Sequence, residues 1–234
     1  MTRTNVQSVS FARTASEIAA VGRRAYARGW ALGTSGNFSA VVSRRPLRLA
    51  ITASSIAKGT LSASHILLCD DHGRVVGRRS GKPSAETLLH VEIAKRREAG
   101  AVLHTHSVWS TMLSDGQNGR DGRDGRDGRD AVVIEGYEML KGLTGITSHE
   151  HRELVPILDN DQDMVRLASR VGEALDQHPD AHAFLLRRHG LYTWGDTLAD
   201  AERHVEILEF LFEAVGRTRG RDGAARERGG PSWP

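Results

Sequence analysis

Two spacings of apolar residues alternate along the chain. Ile18, Val21 and Ala25 recur at helical intervals, which predicts a first amphipathic helix over Ser16–Arg28, capped by Ser16 and stopped by Gly29. Short apolar runs bounded by turn residues then predict strands at Phe38–Ser43, Leu47–Thr52, His65–Cys69 and Arg74–Gly77. Pro83 and Ser84 open a second helix, with Ser84 as its N-cap, running to about Glu98 ahead of Gly100. Strands follow at 101–107 and at Ala131–Glu135. Met164, Leu167, Ala168, Val171 and Leu175 share one side of a helix over Asp161–Gln177. Another apolar run leads from Ala183 to His189, a strand covers Leu191–Trp194, and a last helix carries Val205, Leu208, Phe212 and Val215 between Leu198 and Val215. Strands in adjacent pairs, interrupted by helices, suit a layered α/β domain with a mixed or antiparallel sheet better than a doubly wound parallel one.

Length changes this picture little: 234 residues fit one domain, expected over 15–216, after an N-terminal extension at 1–14. Four copies of Gly-Arg-Asp at 119–130 contain no apolar residue, and 115–130 is expected to be a flexible charged loop. The formal charge of +3 comes from the last segment, where five arginines from Arg217 to Arg228 face only Asp222 and Glu227. Residues 217–234 are therefore expected to be a basic, disordered tail, and the neutral body argues against nucleic acid as a partner. No apolar run is long enough for a membrane span, and the N-terminus carries no secretory pattern. The single Cys69 sits in an apolar run, consistent with a reducing compartment such as the cytoplasm.

Candidate chemistry begins where the strand Ala101–Ser107 ends in His104 and His106. On a strand these two imidazoles share a face and can chelate a divalent ion. His189, at the end of another apolar run and followed by Gly190, is a candidate third ligand; three imidazoles leave an open, catalytic position. Glu86 lies in the first turn of its expected helix, where the dipole alone favours a carboxylate, and Glu138 follows a strand. The small polar loops Thr34–Asn37, Ala53–Ser55 with Lys58, and Ser84 offer amides, hydroxyls and one amine to an anion. Neither a Walker motif nor a Gly-x-Gly-x-x-Gly fingerprint is present, which disfavours a nucleotide.

The ordered set Ser35-Gly-Asn-Phe-Ser39, Ile51-Thr-Ala-Ser-Ser55, Lys82-Pro-Ser-Ala-Glu86, His104-Thr-His106 and Arg188-His-Gly-Leu191 resembles the class II aldolase/adducin head family over roughly 15–215. The resemblance implies a three-layer αβα fold around a central, mostly antiparallel mixed sheet. It implies one zinc ion per subunit on His104, His106 and His189, a sugar-phosphate substrate, and a homotetramer with active sites near subunit interfaces. Phosphate contacts are expected from Gly36, Asn37, Ser54, Ser55 and Ser84, with Lys58 as a helper; the next serine of the family's aldolases is Ala85 here. In those aldolases the residue matching Glu86 is the acid/base. Segments such as Gly136-Tyr-Glu-Met-Leu-Lys141 and Val155-Pro-Ile-Leu-Asp-Asn-Asp-Gln-Asp163 are most similar to a branch that removes water from its substrate. There Glu138 is the better candidate for proton transfer. A sugar-phosphate aldolase or epimerase is the alternative, and a non-catalytic adducin-like module does not suit three intact histidines.

Overall fold

The computed structural model describes residues 10–115 and 131–228. Its helices are α1 (Phe11–Ala27), α2 (Thr87–Arg96), α3 (Val108–Leu113), α4 (Met164–Gln177) and α5 (Leu198–Arg228). Its strands are β1 (Asn37–Arg44), β2 (Leu47–Thr52), β3 (Ile66–Cys69), β4 (Ala101–Thr105), β5 (Ala131–Glu135), β6 (Arg152–Leu158), β7 (Ala183–Leu186) and β8 (Gly190–Gly195). They form one sheet in the order β3-β2-β1-β4-β8-β7-β6-β5. Only the β6–β7 pair is parallel. This is the expected mostly antiparallel mixed sheet with helices on both faces.

Strand β4 shows how one sequence serves two cores. Its side chains alternate, so Leu103 packs with Ile18 and Val21 of α1 and Val205 of α5. Val102 points the other way, to Leu89 and Ile93 of α2 and Leu167 and Val171 of α4. In that second core Phe184 and Tyr192 stack with ring centroids 4.9 Å apart. Each large apolar side chain so buried contributes about 1.5–3 kcal/mol. Among the described residues no helix is long and apolar enough to cross a membrane.

Several element ends differ from expectation, each for a local reason. Helix α1 starts at Phe11, not Ser16, because Phe11 packs into the same core as Ala15 and Ile18. Residues 10–14 of the expected extension thus belong to this helix and its cap, and Ser16 lies inside it, its hydroxyl donating to Ala12 O. Helix α2 starts at Thr87, with Glu86 in the N-cap position in place of Ser84. Pro83 is drawn into an extended bridge with Ala53, which holds Ser84 outside the helix. The segment Arg74–Gly77 makes only a single bridge, Val75 to Cys69. Helix α5 continues to Arg228, so the tail expected to be disordered from 217 is helical that far. Arg217 pairs with Glu213 and lies over the Trp109 ring, tying that extension to α3. Residues 1–9, the Gly-Arg-Asp repeat within 116–130, and 229–234 lie outside the described residues.

A buried ionic cluster locks the sheet end opposite the one where β4 finishes. Glu153 of β6 is 1% exposed. It accepts hydrogen bonds from His182 N (3.0 Å), His182 Nδ1 (3.0 Å) and His151 Nε2 (2.8 Å). His182 Nε2 donates to Thr144 O at 2.9 Å, so both its ring nitrogens face acceptors and the imidazolium is favoured. Burial opposes that charge, but the Glu153 bond and charge outweigh it and raise the His182 pKa. Burial also opposes the Glu153 charge, and His182 reverses the balance, lowering its pKa. The stability from His182 is therefore complete below its ordinary value of 6.5 and lost as pH rises through the raised one. That from Glu153 is present above 4.5 and lost as pH falls through the lowered one. Glu153→Gln is expected to remove about 1.5–3 kcal/mol near pH 6, or about 3–12 °C in melting temperature. Melting curves at pH 6 and pH 9 check this: the deficit shrinks at pH 9, and an equal deficit at both would exclude the charged pair.

Candidate metal centre

Three histidines meet where β4 ends. His104 is the fourth residue of β4 and His106 the first beyond it, and both rings face the same way. His189 comes from the turn between β7 and β8, where Arg188 takes φ +55°. It is a turn residue rather than the end of a strand, because β7 stops at Leu186. Gly190 lets that turn close on β4: a Cβ there would lie 2.0 Å from Thr105 O. The Nε2 atoms are 2.7 Å (His104–His106), 3.1 Å (His106–His189) and 3.4 Å (His104–His189) apart.

That geometry fits a divalent ion. Bonds of about 2.0–2.1 Å to a tetrahedral zinc put ligand nitrogens roughly 3.3 Å apart. His104 Nδ1 donates to Leu191 O at 2.8 Å, which leaves its Nε2 lone pair pointing into the cluster. Burial, then the neighbouring imidazoles, push the His104 pKa well down; burial and His189 bring His106 to about 4. Both rings are therefore neutral at pH 7, in the form a metal requires. No other cluster of three or more such side chains with this geometry occurs among the described residues.

Glu86 stands beside the imidazoles, with Oε2 3.5 Å from His104 Nε2 and Oε1 3.4 Å from His189 Nε2. A buried chain of hydrogen bonds aims it. Asn37 Nδ2 donates to Glu86 Oε2 (2.6 Å) and to Ser84 Oγ (3.1 Å). His90 Nε2 donates to Asn37 Oδ1, and Ser39 Oγ meets His90 Nδ1 at 2.7 Å. Burial lowers the His90 pKa to about 3, so it serves as a neutral donor and acceptor. Tyr192 stacks on His104, centroids 3.9 Å apart, and backs the ring. The sequence reading missed Ser39, His90 and Tyr192. His90 lies four residues after Glu86, one helical turn along the same face, and that spacing was the available signal.

An open cavity of about 260 Å³ collects the remaining candidates. Gly36, Asn37, Ser54, Ser55, Lys58, Ser84, Glu86, His106 and His189 all line it. Gly36 packs directly on the metal strand, at φ +71° with room for no Cβ: one would lie 2.7 Å from His104 O. Lys58 is buried; its Nζ donates to Thr34 O and Ile56 O at 3.0 Å, and burial lowers its pKa to about 8. Among the described residues no other lysine or arginine lines the cavity. The structure adds Asn160 and Gln162 of the β6–α4 loop and Met164, the first residue of α4, none of which is among the candidate site residues of the sequence.

Glu138 is elsewhere. It opens a 3-10 turn after β5, is 71% exposed, and pairs with Lys141 and, at 3.8 Å, with His149. Lys141 and then His149 hold its carboxyl below the usual range. The sheet explains the separation. Strand β5 is the edge strand, four neighbours from β4, or roughly 19 Å at about 4.8 Å per strand. It also runs antiparallel to β6, with Glu135 opposite Arg152, so it delivers Glu138 to the end away from the histidines.

Comparison with known proteins agrees with this architecture. Residues 16–215 match the profile of the class II aldolase and adducin N-terminal domain. The chain is 45% identical over 216 residues to a methylthioribulose-1-phosphate dehydratase of Methylococcus capsulatus, covering 92% of this chain and 98% of that protein. It is 45% identical over 198 residues to one of Pseudomonas aeruginosa, covering 84% and 90%. Among solved structures, L-fuculose-1-phosphate aldolase of Thermus thermophilus superposes with TM-score 0.68 at 24% identity, over 92% of this chain and 99% of that one. A profile that spans nearly the whole described fold, together with relatives this similar along nearly their full length, shows that the chain belongs to the class II aldolase and adducin N-terminal domain family.

Proposed function

We infer that the chain dehydrates 5-methylthioribulose 1-phosphate to 2,3-diketo-5-methylthiopentyl 1-phosphate, a step of methionine salvage. The observation that carries this reading is the 45% identity to a dehydratase of that name over 92% of the chain, in a protein whose three imidazoles converge beside a polar cavity of about 260 Å³. His104, His106 and His189 would hold one zinc ion, which would supply Lewis acidity beside the cavity. Gly36, Asn37, Ser54, Ser55 and Ser84 receive the C1 phosphate, and Lys58 supplies the positive charge. Binding that remote group orients the carbons that react.

The chemistry is loss of the C3 proton and the C4 hydroxyl, which forms an enol that tautomerises to the diketone. One carboxylate takes the C3 proton and returns a proton to the leaving hydroxyl. Glu138 fills this role in our reading. Its place at the opposite sheet end means that it must come from a neighbouring copy, which accords with a homotetramer whose sites lie at subunit interfaces. Glu86 sits by the imidazoles and orients the C3 hydroxyl. A cytoplasmic location suits a chain whose one cysteine, Cys69, is buried and unpaired.

Incubation of zinc-loaded protein with 5-methylthioribulose 1-phosphate is expected to yield a product lighter by one water. Cleavage between C3 and C4 would instead assign the chain to the aldolases, whose fold it shares with the Thermus enzyme.

A further inference from the structure

We propose that the β6–α4 loop and the first residue of α4 form the specificity wall for the substrate's C5 substituent, with Met164 receiving the methylthio group and Asn160 and Gln162 flanking it. This rests on the dehydratase reading and adds to it which part of the chain recognises the sulfur end.

Strand order supplies the first support. One end of the sheet presents, side by side, Ser54 after β2, Asn37 opening β1, His106 after β4, His189 between β7 and β8, and Asn160 after β6. The imidazoles therefore stand between the serine loops and the β6–α4 loop. Leu158, the last residue of β6, pairs with Leu186, three residues before His189, and Arg187 N donates to Leu158 O at 2.8 Å. The loop thus leaves the sheet beside the metal ligands. Among the described residues, a five-carbon chain with C2 and C3 at the imidazoles and its C1 phosphate at Lys58 meets this loop at its C5 end.

Charge supplies the second. The loop holds three carboxylates, and each is engaged with its own surroundings. Asp159 pairs with Arg187 at 2.7 Å and Asp161 with Arg166 at 2.6 Å. Asp163 caps α4 through Val165 N and Arg166 N. What lines the cavity is two neutral amides and one thioether. Among the described residues the cavity is therefore basic and hydroxyl-rich at one end and lined by neutral side chains of the β6–α4 segment at the other, which matches a phosphate at the first and a thioether at the second. Met164 also packs against the core of α2 and α4, which fixes its backbone while its polarisable sulfur adapts to the methylthio group.

The test compares kcat/KM for 5-methylthioribulose 1-phosphate and 5-deoxyribulose 1-phosphate, which differ only in the methylthio group. It also compares calorimetric Kd values of the two corresponding alditol phosphates, which cannot react. An apolar contact of this size is expected to favour the methylthio compound about 10–200-fold. Met164→Gln keeps length and helix propensity and is expected to lose about tenfold or more of that preference. Gln162→Ala, at an exposed position, keeps the test valid if the first variant does not fold, and is expected to lose a smaller part of the preference. Preferences equal to wild type in the folded variants would overturn the wall. No turnover of either ketose by the wild-type chain would count against the dehydratase reading, and the alditol affinities would still decide the wall.

Discussion

His106→Ala is expected to abolish stoichiometric zinc binding and to lower dehydration by about three orders of magnitude or more. The Lewis acid contributes several kcal/mol to the transition state, and each 1.36 kcal/mol is a factor of ten. His106 is the informative ligand to remove. His104 is fully buried against Tyr192, so its loss opens a hole in the core as well as the metal centre. His106 lines the cavity, and its truncation spares that packing. Zinc per subunit after gel filtration, measured with product mass, separates loss of metal from loss of fold. A variant that keeps one zinc per chain would remove His106 from the ligand set.

Glu138→Gln is expected to keep the metal and lose about 10²–10⁴-fold in turnover, the usual contribution of a positioned acid/base. Its location makes a sharper demand. One chain holds its histidines and its own Glu138 at opposite ends of the sheet, so Glu138 can act on the substrate only if each active site combines two copies. Co-expressed His106→Ala and Glu138→Gln subunits should then regain activity, because random pairing gives about a quarter of the sites both intact groups. Mixed oligomers as inactive as either parent would show that Glu138 does not act across an interface. The proton would then pass to Glu86, which stands within 3.5 Å of two of the ligand nitrogens in the same chain.

The sequence made the metal ligands legible because their signal is local. An apolar strand that ends in His-x-His can place both rings on one face whatever surrounds it. The small polar loops were legible by composition, but what brings them to one cavity is the strand order, set by pairings between distant segments. The same applies to Glu138. Reading Ala131–Glu135 as a strand was correct. Its place at the sheet edge, and its antiparallel course beside β6, are properties of the pairing that no local pattern encodes. The element ends were misread where tertiary contact overrode a local cap signal, as when Phe11 extended α1 past Ser16. His90 and Ser39 were overlooked because a buried polar residue resembles any other until its partner is known.

Two glycines hold the Thr34–Asn37 loop and the His189 turn directly on the backbone of β4: Gly36 against His104 O and Gly190 against Thr105 O. Neither surface can shift without shifting the strand that carries His104, so the Gly36 loop and the His189 turn move with it as a unit. The β6–α4 loop has no such tie to β4. Its carboxylates pair with arginines of its own neighbourhood, and it leaves the sheet past the last ligand. Substitutions in that one stretch can therefore reshape one wall of the cavity while the half built on the two glycines keeps its geometry.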